Sequence, residues 1–268
     1  MQILEHGREN EKVLLFFPCT AEPVWAFEGA ILLLSQKWHV FQVVYDGHQP
    51  ENPGDFSSVE QTVDEVTAYL KKRGVTRLDA AYGCSLGGAC LTRLLALGEL
   101  PVDRAIIDGG ITPYQLPYLL RKLRLAIDIL GFKMVANSRR ILEVAFPPER
   151  FTLPGHDPKK EYDAIAAYLK TYSHRTIRNV FWSGNNYALP HSPVPTDTKM
   201  VYWYGKDEKK ERWGNIRFIR RYFPQAQLQM IPEMAHAELV MIHPKEFCRY
   251  AEEFLNTEKA LPRRTKYK

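Results

Sequence analysis

Three short stretches carry side chains that could act together. The first is "GCSLGG", with Ser85 between Gly83 and Gly87; the second is "YGKDEKKER", with Asp207 and Glu208; the third is "EMAHAEL", with His236. A serine hydroxyl is a weak nucleophile at neutral pH and needs a base beside it, and an imidazole base needs a carboxylate to fix its tautomer and stabilise its charged form. The chain supplies them in the order serine, acid, histidine. The spacing Gly83-Cys84-Ser85-Leu86-Gly87 is G-x-S-x-G, in which small residues two positions either side of the serine permit a turn sharp enough to lift the hydroxyl out of the chain's path. Cys84 is a second nucleophile by type, but one position early on such a turn its side chain is aimed at the core, where it reads as a small apolar filler.

Such a turn needs a strand before it and a helix after it. Short apolar runs at 13–17, 40–45, 78–83, 104–109, 200–204 and 228–231 read as six strands alternating with helix-period segments, the pattern of an α/β protein with a mostly parallel sheet covered on both faces. Between the second and third runs, Val59, Val63, Val66 and Leu70 share one helical face, with Ser58 and Gln61 spaced as a capping box and Gly74 as the stop. Pro244 opens a last helix along Phe247, Ala251, Phe254 and Leu255. The serine follows the third run, the acids the fifth, and the histidine the sixth, so all three fall at carboxyl ends of strands, where open α/β sheets place their sites. Residues 112–196 break the alternation. They hold helix-period patterns and no convincing strand, beginning with Leu116, Leu119, Leu120, Leu123, Ile127 and Leu130, and read as an inserted helical lid between two parts of one core domain, 1–111 and 197–268. A leucine stripe of this kind is expected to be a packing surface, and on a lid it can pack on the rim of the sheet while lining whatever lies beneath.

With these motifs in place the chain resembles the α/β-hydrolase fold superfamily, with a helical cap inserted in it, from Val13 to Leu255; "GCSLGG" and "AHAEL" are the most specific marks. The resemblance implies Ser85 as nucleophile, His236 as general base and then acid, and a carboxylate after "WYG" as the orienting group. Relatives commonly carry that acid three positions after the turn glycine, which from Gly205 is Glu208; residue type favours Asp207. The first oxyanion donor is then the backbone N–H of Leu86. The second comes from the loop after the first long strand, where the family's usual His-Gly is replaced by Phe17 and Pro18. Pro18 has no N–H to donate, which leaves Cys19, with Thr20 as the alternative. A serine at the turn also argues against relatives that carry an aspartate there.

Composition narrows the remaining classes. The net charge of +5 resides in the final ten residues, "KALPRRTKYK"; with those five basic residues set aside, the others equal the 31 acidic ones. No nucleic-acid or membrane partner is therefore expected. Four cysteines show no CxxC pair, and no HExxH or similar spacing exists, so neither a metal nor another cofactor is anticipated. The N-terminus lacks the basic start and apolar stretch of a secretory signal, and the reading is a cytoplasmic protein. The expected partner is a small-molecule ester or acyl substrate, and a homodimer is compatible. Trp25, Trp182 and Tyr187 are candidate pocket walls, and Arg139, Arg140, His174, Arg175 and Arg178 are candidate polar contacts. The expected chemistry is acyl transfer to water, most simply as a carboxylesterase. Thioesterase, amidase or peptidase, carbon–carbon hydrolase, acyltransferase and non-hydrolytic binding activities use the same framework.

Overall fold

A computed structural model describes residues 1–51, 54–113 and 116–256. The basic tail therefore lies outside the described residues. Seven strands form one sheet: β1 (Gln2–His6), β2 (Val13–Phe17), β3 (His39–Val44), β4 (Leu78–Cys84), β5 (Val102–Asp108), β6 (Lys199–Gly205) and β7 (Gln227–Ile231). Their spatial order is β1-β3-β2-β4-β5-β6-β7, with every pairing parallel except β1 on β3. The six expected strands are present within a residue or two. The seventh, β1, has the short alternating sequence "QILEH" and pairs antiparallel at the edge, so it needs no crossover helix to announce it.

The helices are α1 (Glu28–Leu34), α2 (Val59–Lys72), α3 (Leu86–Leu97), α4 (Tyr118–Asn137), α5 (Arg139–Ala145), α6 (Pro148–Phe151), α7 (Pro158–Leu169), α8 (His174–Asn186), α9 (Trp213–Tyr222), α10 (Glu238–Ile242) and α11 (Pro244–Leu255). The period-two alternation of strand side chains splits the core into two layers. Leu15, Phe17, Ala81 and Ile107 face one side with α2, α3 and α9 residues, while Leu14, Phe16, Tyr82 and Ile106 face the other with α1 and α11 residues. Helix α2 starts where expected, Ser58 Oγ accepting from Gln61 N–H at 3.1 Å. The capping box is only half made, because the Gln61 side chain donates forward to Glu65.

Between β5 and β6 the described chain forms helices only, α4 to α8, with their own buried cluster around Leu142, Tyr162, Leu169 and Ile177. The stripe on α4 departs from expectation. Leu119, Leu120, Leu123, Ile127 and Leu130 are exposed, and the opposite face, through Ile129, Phe132, Val135 and Ala136, is the one that packs. Among the described residues no helix is long and apolar enough to cross a membrane.

Candidate active site

Ser85 sits in the turn between β4, the middle strand, and α3. Its backbone is at φ 54°, ψ −112°, a region a non-glycine residue occupies only when its surroundings hold it there. The holding contacts are visible. Ser85 N–H donates to the Asp108 carbonyl at 2.9 Å, and the Ser85 carbonyl accepts from Ala89 and Ile111 N–H at 3.1 Å each. A Cβ on Gly87 would collide with the carbonyl oxygens of Phe17 and Pro18, so the loop after β2 crosses directly over the start of α3. Cys84 points away into the opposite core layer, and hydrogen bonding to Cys19 together with burial pushes its thiol well above the ordinary value. It is a poor thiolate.

His236 lies between β7 and α10, and its Nδ1 is 2.7 Å from Glu208 Oε2. Glu208 is 6% exposed, and its other oxygen accepts from Gly205 N–H at 3.0 Å. Arg212 completes the group, with Nε donating to Glu208 Oε2 at 2.7 Å and a terminal nitrogen 3.2 Å from His236 Nδ1. One ring nitrogen cannot both donate to the carboxylate and accept from the guanidinium. The shorter carboxylate contact assigns the proton to Nδ1 and leaves Nε2 as the acceptor. Burial works to raise the Glu208 carboxyl, but the facing imidazole and guanidinium outweigh it and hold it at about 2. Burial, helped by the Arg212 charge, pushes His236 below its ordinary value against the pull of Glu208. At neutral pH the pair is thus a carboxylate and a neutral imidazole. Gly109 makes room for it, since a Cβ there would stand 2.8 Å from the His236 ring.

Asp207 is directed elsewhere. Its Oδ2 accepts from Arg150 of α6 at 2.8 Å, and the same guanidinium bonds Glu238 and the Glu233 carbonyl. Asp207 therefore helps to pin the loop that carries the histidine and does not contact the ring.

Ser85 and His236 border one cavity of about 730 Å³, within the range of small-molecule sites. No direct hydrogen bond joins them among the described residues, and catalytic bonds of this type commonly tighten only when substrate is bound. Leu86 opens α3, so its N–H is one of the unpaired donors of the first turn. The loop opposite is fixed without the family's His-Gly. Tyr45 donates to the Pro18 carbonyl at 2.9 Å, Ala21 N–H to Tyr172 Oη at 3.1 Å, and Tyr168 Oη to the Glu22 carbonyl at 2.9 Å. Thr20 Oγ1 meets His48 Nε2 at 2.8 Å; since His48 Nδ1 must donate to the Asp46 carbonyl, the threonine hydroxyl is the donor. Burial holds His48 down at about 4 and hence neutral. Thr20 borders the cavity, whereas the Cys19 side chain is buried in the core layer behind it.

The aromatic candidates lie away from the cavity. Trp25 stacks near His156, Trp182 packs edge-on against Tyr118, and Tyr187 is a core residue bonded to the Ile111 carbonyl. Arg139 and Arg175 pair with acids. The polar wall is built instead by α9, through Asn215, Arg217 and Arg221, and by Arg124 and Asp128 of α4. Their sequence signal was an arginine-rich helix with period-four spacing, "NIRFIRRY", which reads equally as a solvated face.

Comparison with known proteins agrees with this architecture. The sequence matches the model of the alpha/beta hydrolase family over residues 14–250. No curated protein matches it. Among solved structures it is similar to an alpha/beta hydrolase family protein from Desulfitobacterium hafniense (TM-score 0.73, 15% identity, covering 95% of this chain and 100% of the other). It is also similar to MenH from S. aureus (0.69, 15%, 95% and 97%) and to a structure from a study of carboxylesterases of Nitrososphaera gargenis (0.68, 15%, 95% and 93%). A mostly parallel sheet with a serine at the turn after its middle strand, in a chain matched by the family model over residues 14–250, places this chain in the alpha/beta hydrolase family.

Proposed function

We propose that the protein is a serine hydrolase, a carboxylesterase that cleaves a small ester through an acyl-enzyme beneath a helical cap. The observation that carries this reading is that Ser85, on a strained turn, shares a cavity with His236, whose Nδ1 is 2.7 Å from the buried Glu208. Kinship of fold with the structure from the study of carboxylesterases supports it. Ser85 Oγ attacks the ester carbonyl as its proton passes to His236 Nε2, and the oxyanion is held by the N–H of Leu86 and one from the Cys19–Thr20 segment. The imidazolium gives its proton to the departing alkoxide, leaving an acyl-serine. Water then adds, again with His236 as base, and the carboxylic acid leaves as Ser85 regains its proton. Glu208 keeps the ring in the required tautomer throughout, and Arg212 keeps Glu208 ionised. Incubation with a fluorophosphonate, followed by intact-mass and peptide analysis, is expected to add one phosphonyl group at Ser85; a folded protein that gains no mass there rules out the reading.

The cavity wall supports an anionic or strongly polar group at the distal end of the substrate. Arg217 and Arg221 stand one helical turn apart on the cavity face of α9, a like-charge spacing that disfavours the isolated helix. For a carboxylate-ended acyl ester, Gln at both positions is expected to raise KM about tenfold, with little change for a neutral ester of equal length. No change with either ester would assign the arginines to the solvated surface, and an equal rise with both would deny them a part in recognising the charge.

A further inference from the structure

Helix α4 carries two apolar faces separated by charged strips, Arg121, Arg124 and Asp128 on one flank and Lys122 and Lys133 on the other. Only one side is covered. Along the other, Leu119, Leu120, Leu123, Ile127, Leu130 and Met134 stay between 47% and 77% exposed. At 3.6 residues per turn these six occupy an arc of about 100° and a length of about 22 Å. Within the arc, Leu120, Leu123, Ile127, Leu130 and Met134 follow one another at alternating spacings of three and four residues, the repeat of a two-helix seam. We infer that this face of α4 is where a second copy of the chain docks, the two α4 helices packing antiparallel across a twofold axis.

The pattern suits a twofold partner because the alternation reads nearly the same in both directions, so reversing one helix again sets leucine-sized groups opposite leucine-sized groups. The size suits it as well. Six side chains exposed to this degree make a continuous patch of several hundred Å², at or above the largest usually left on a monomer, and the flanking Tyr118 and the stems of Lys122 and Lys133 extend it toward the ~800 Å² per partner of a stable interface. A lipid surface fits less well. A helix lying in a bilayer surface presents a broad apolar face with free cations along both margins. Here the arc is narrow, and on the cavity side Arg124 is held by Asp128 at 3.0 Å.

Sedimentation velocity tests this directly. The wild-type chain, 31.0 kDa as a monomer, is expected to sediment as a dimer. Leu123→Glu and Ile127→Glu, both at exposed positions, are expected to weaken association at least roughly 100-fold with unchanged circular dichroism, since each would bury an unpaired charge in the seam. Val144→Glu, equally exposed but on α5, should leave the dimer intact. Ile127→Cys should cross-link to a covalent dimer under mild oxidation, the four native cysteines being buried. A wild-type monomer at its highest soluble concentration, a dimer indifferent to Leu123→Glu, or a monomer that floats with phosphatidylcholine–phosphatidylserine vesicles would each overturn the inference. Each outcome is read without any activity assay.

Discussion

Replacing Ser85 with alanine is expected to lower kcat by about 10⁶ on any ester the protein hydrolyses, with KM nearly unchanged. In the proposed mechanism the Ser85 oxygen is the atom that bonds to carbon, and among the described residues no cysteine is placed to take over. Cys84 is aimed into the opposite core layer with its thiol pushed up, and the remaining cysteines are buried as well. The substitution should not unfold the chain. Alanine meets the same backbone demand at φ 54° as serine does, and the bonds that hold the turn come from the Ser85 N–H and carbonyl, which alanine keeps. Activity remaining should be the roughly 10³–10⁴-fold advantage over water that donors and binding confer without a nucleophile. Steady-state assays alongside thermal unfolding check both halves. If Ser85→Ala keeps more than a few per cent of wild-type kcat, the reacting atom is elsewhere.

Which parts of this site were legible in the sequence follows from how local each constraint is. The turn at Ser85 is specified by the small residues beside it, and the strand and helix around it by periodicity, so a window of a dozen residues holds the information. Glu208 is singled out by counting from Gly205, and it is Glu208 whose carboxylate meets His236 while Asp207 turns to Arg150. Arg212 and His48 left no such mark. Arg212 lies in a run of charges that reads as solvated, and its meaning comes from the histidine brought up from 24 residues downstream. His48 matters because Thr20 arrives beside it from another strand end, 28 residues upstream, in a loop whose sequence lacks the family's usual residues. The same limit governs α4. Period establishes that a helix has an apolar face, while which face is covered depends on everything packed around it, and so the stripe expected to pack is the one left exposed. Aromatic residues are ambiguous for a related reason: Trp25, Trp182 and Tyr187 are as useful in a core as in a pocket wall.

Exchanging Glu208 for glutamine is expected to lower kcat by about 10³–10⁴, while Asp207→Asn should stay within a few-fold of wild type. The difference rests on tautomer control. Glu208 Oε1 accepts from Gly205 N–H while Oε2 accepts from both Arg212 and His236, so a glutamine whose oxygen stays on Gly205 presents its amide N–H to His236 Nδ1. That places the ring proton on Nε2, where it can no longer accept the proton of Ser85. The Asp207 side chain is 45% exposed and bonds Arg150, a contact expected to contribute little at a solvated site. The pH profile separates the tautomer effect from general damage. With Glu208 held at about 2, the carboxylate stays charged throughout the working range, so the acid limb of kcat/KM reports His236 and should have its midpoint below 6.5. Glu208 stabilises the imidazolium and Arg212 opposes it. Removing the carboxylate while the guanidinium remains should move the midpoint to still lower pH, even as the plateau falls. A variant that lost activity only through local unfolding would keep the wild-type midpoint in its residual activity, and a larger loss in Asp207→Asn than in Glu208→Gln would transfer the orienting role to Asp207.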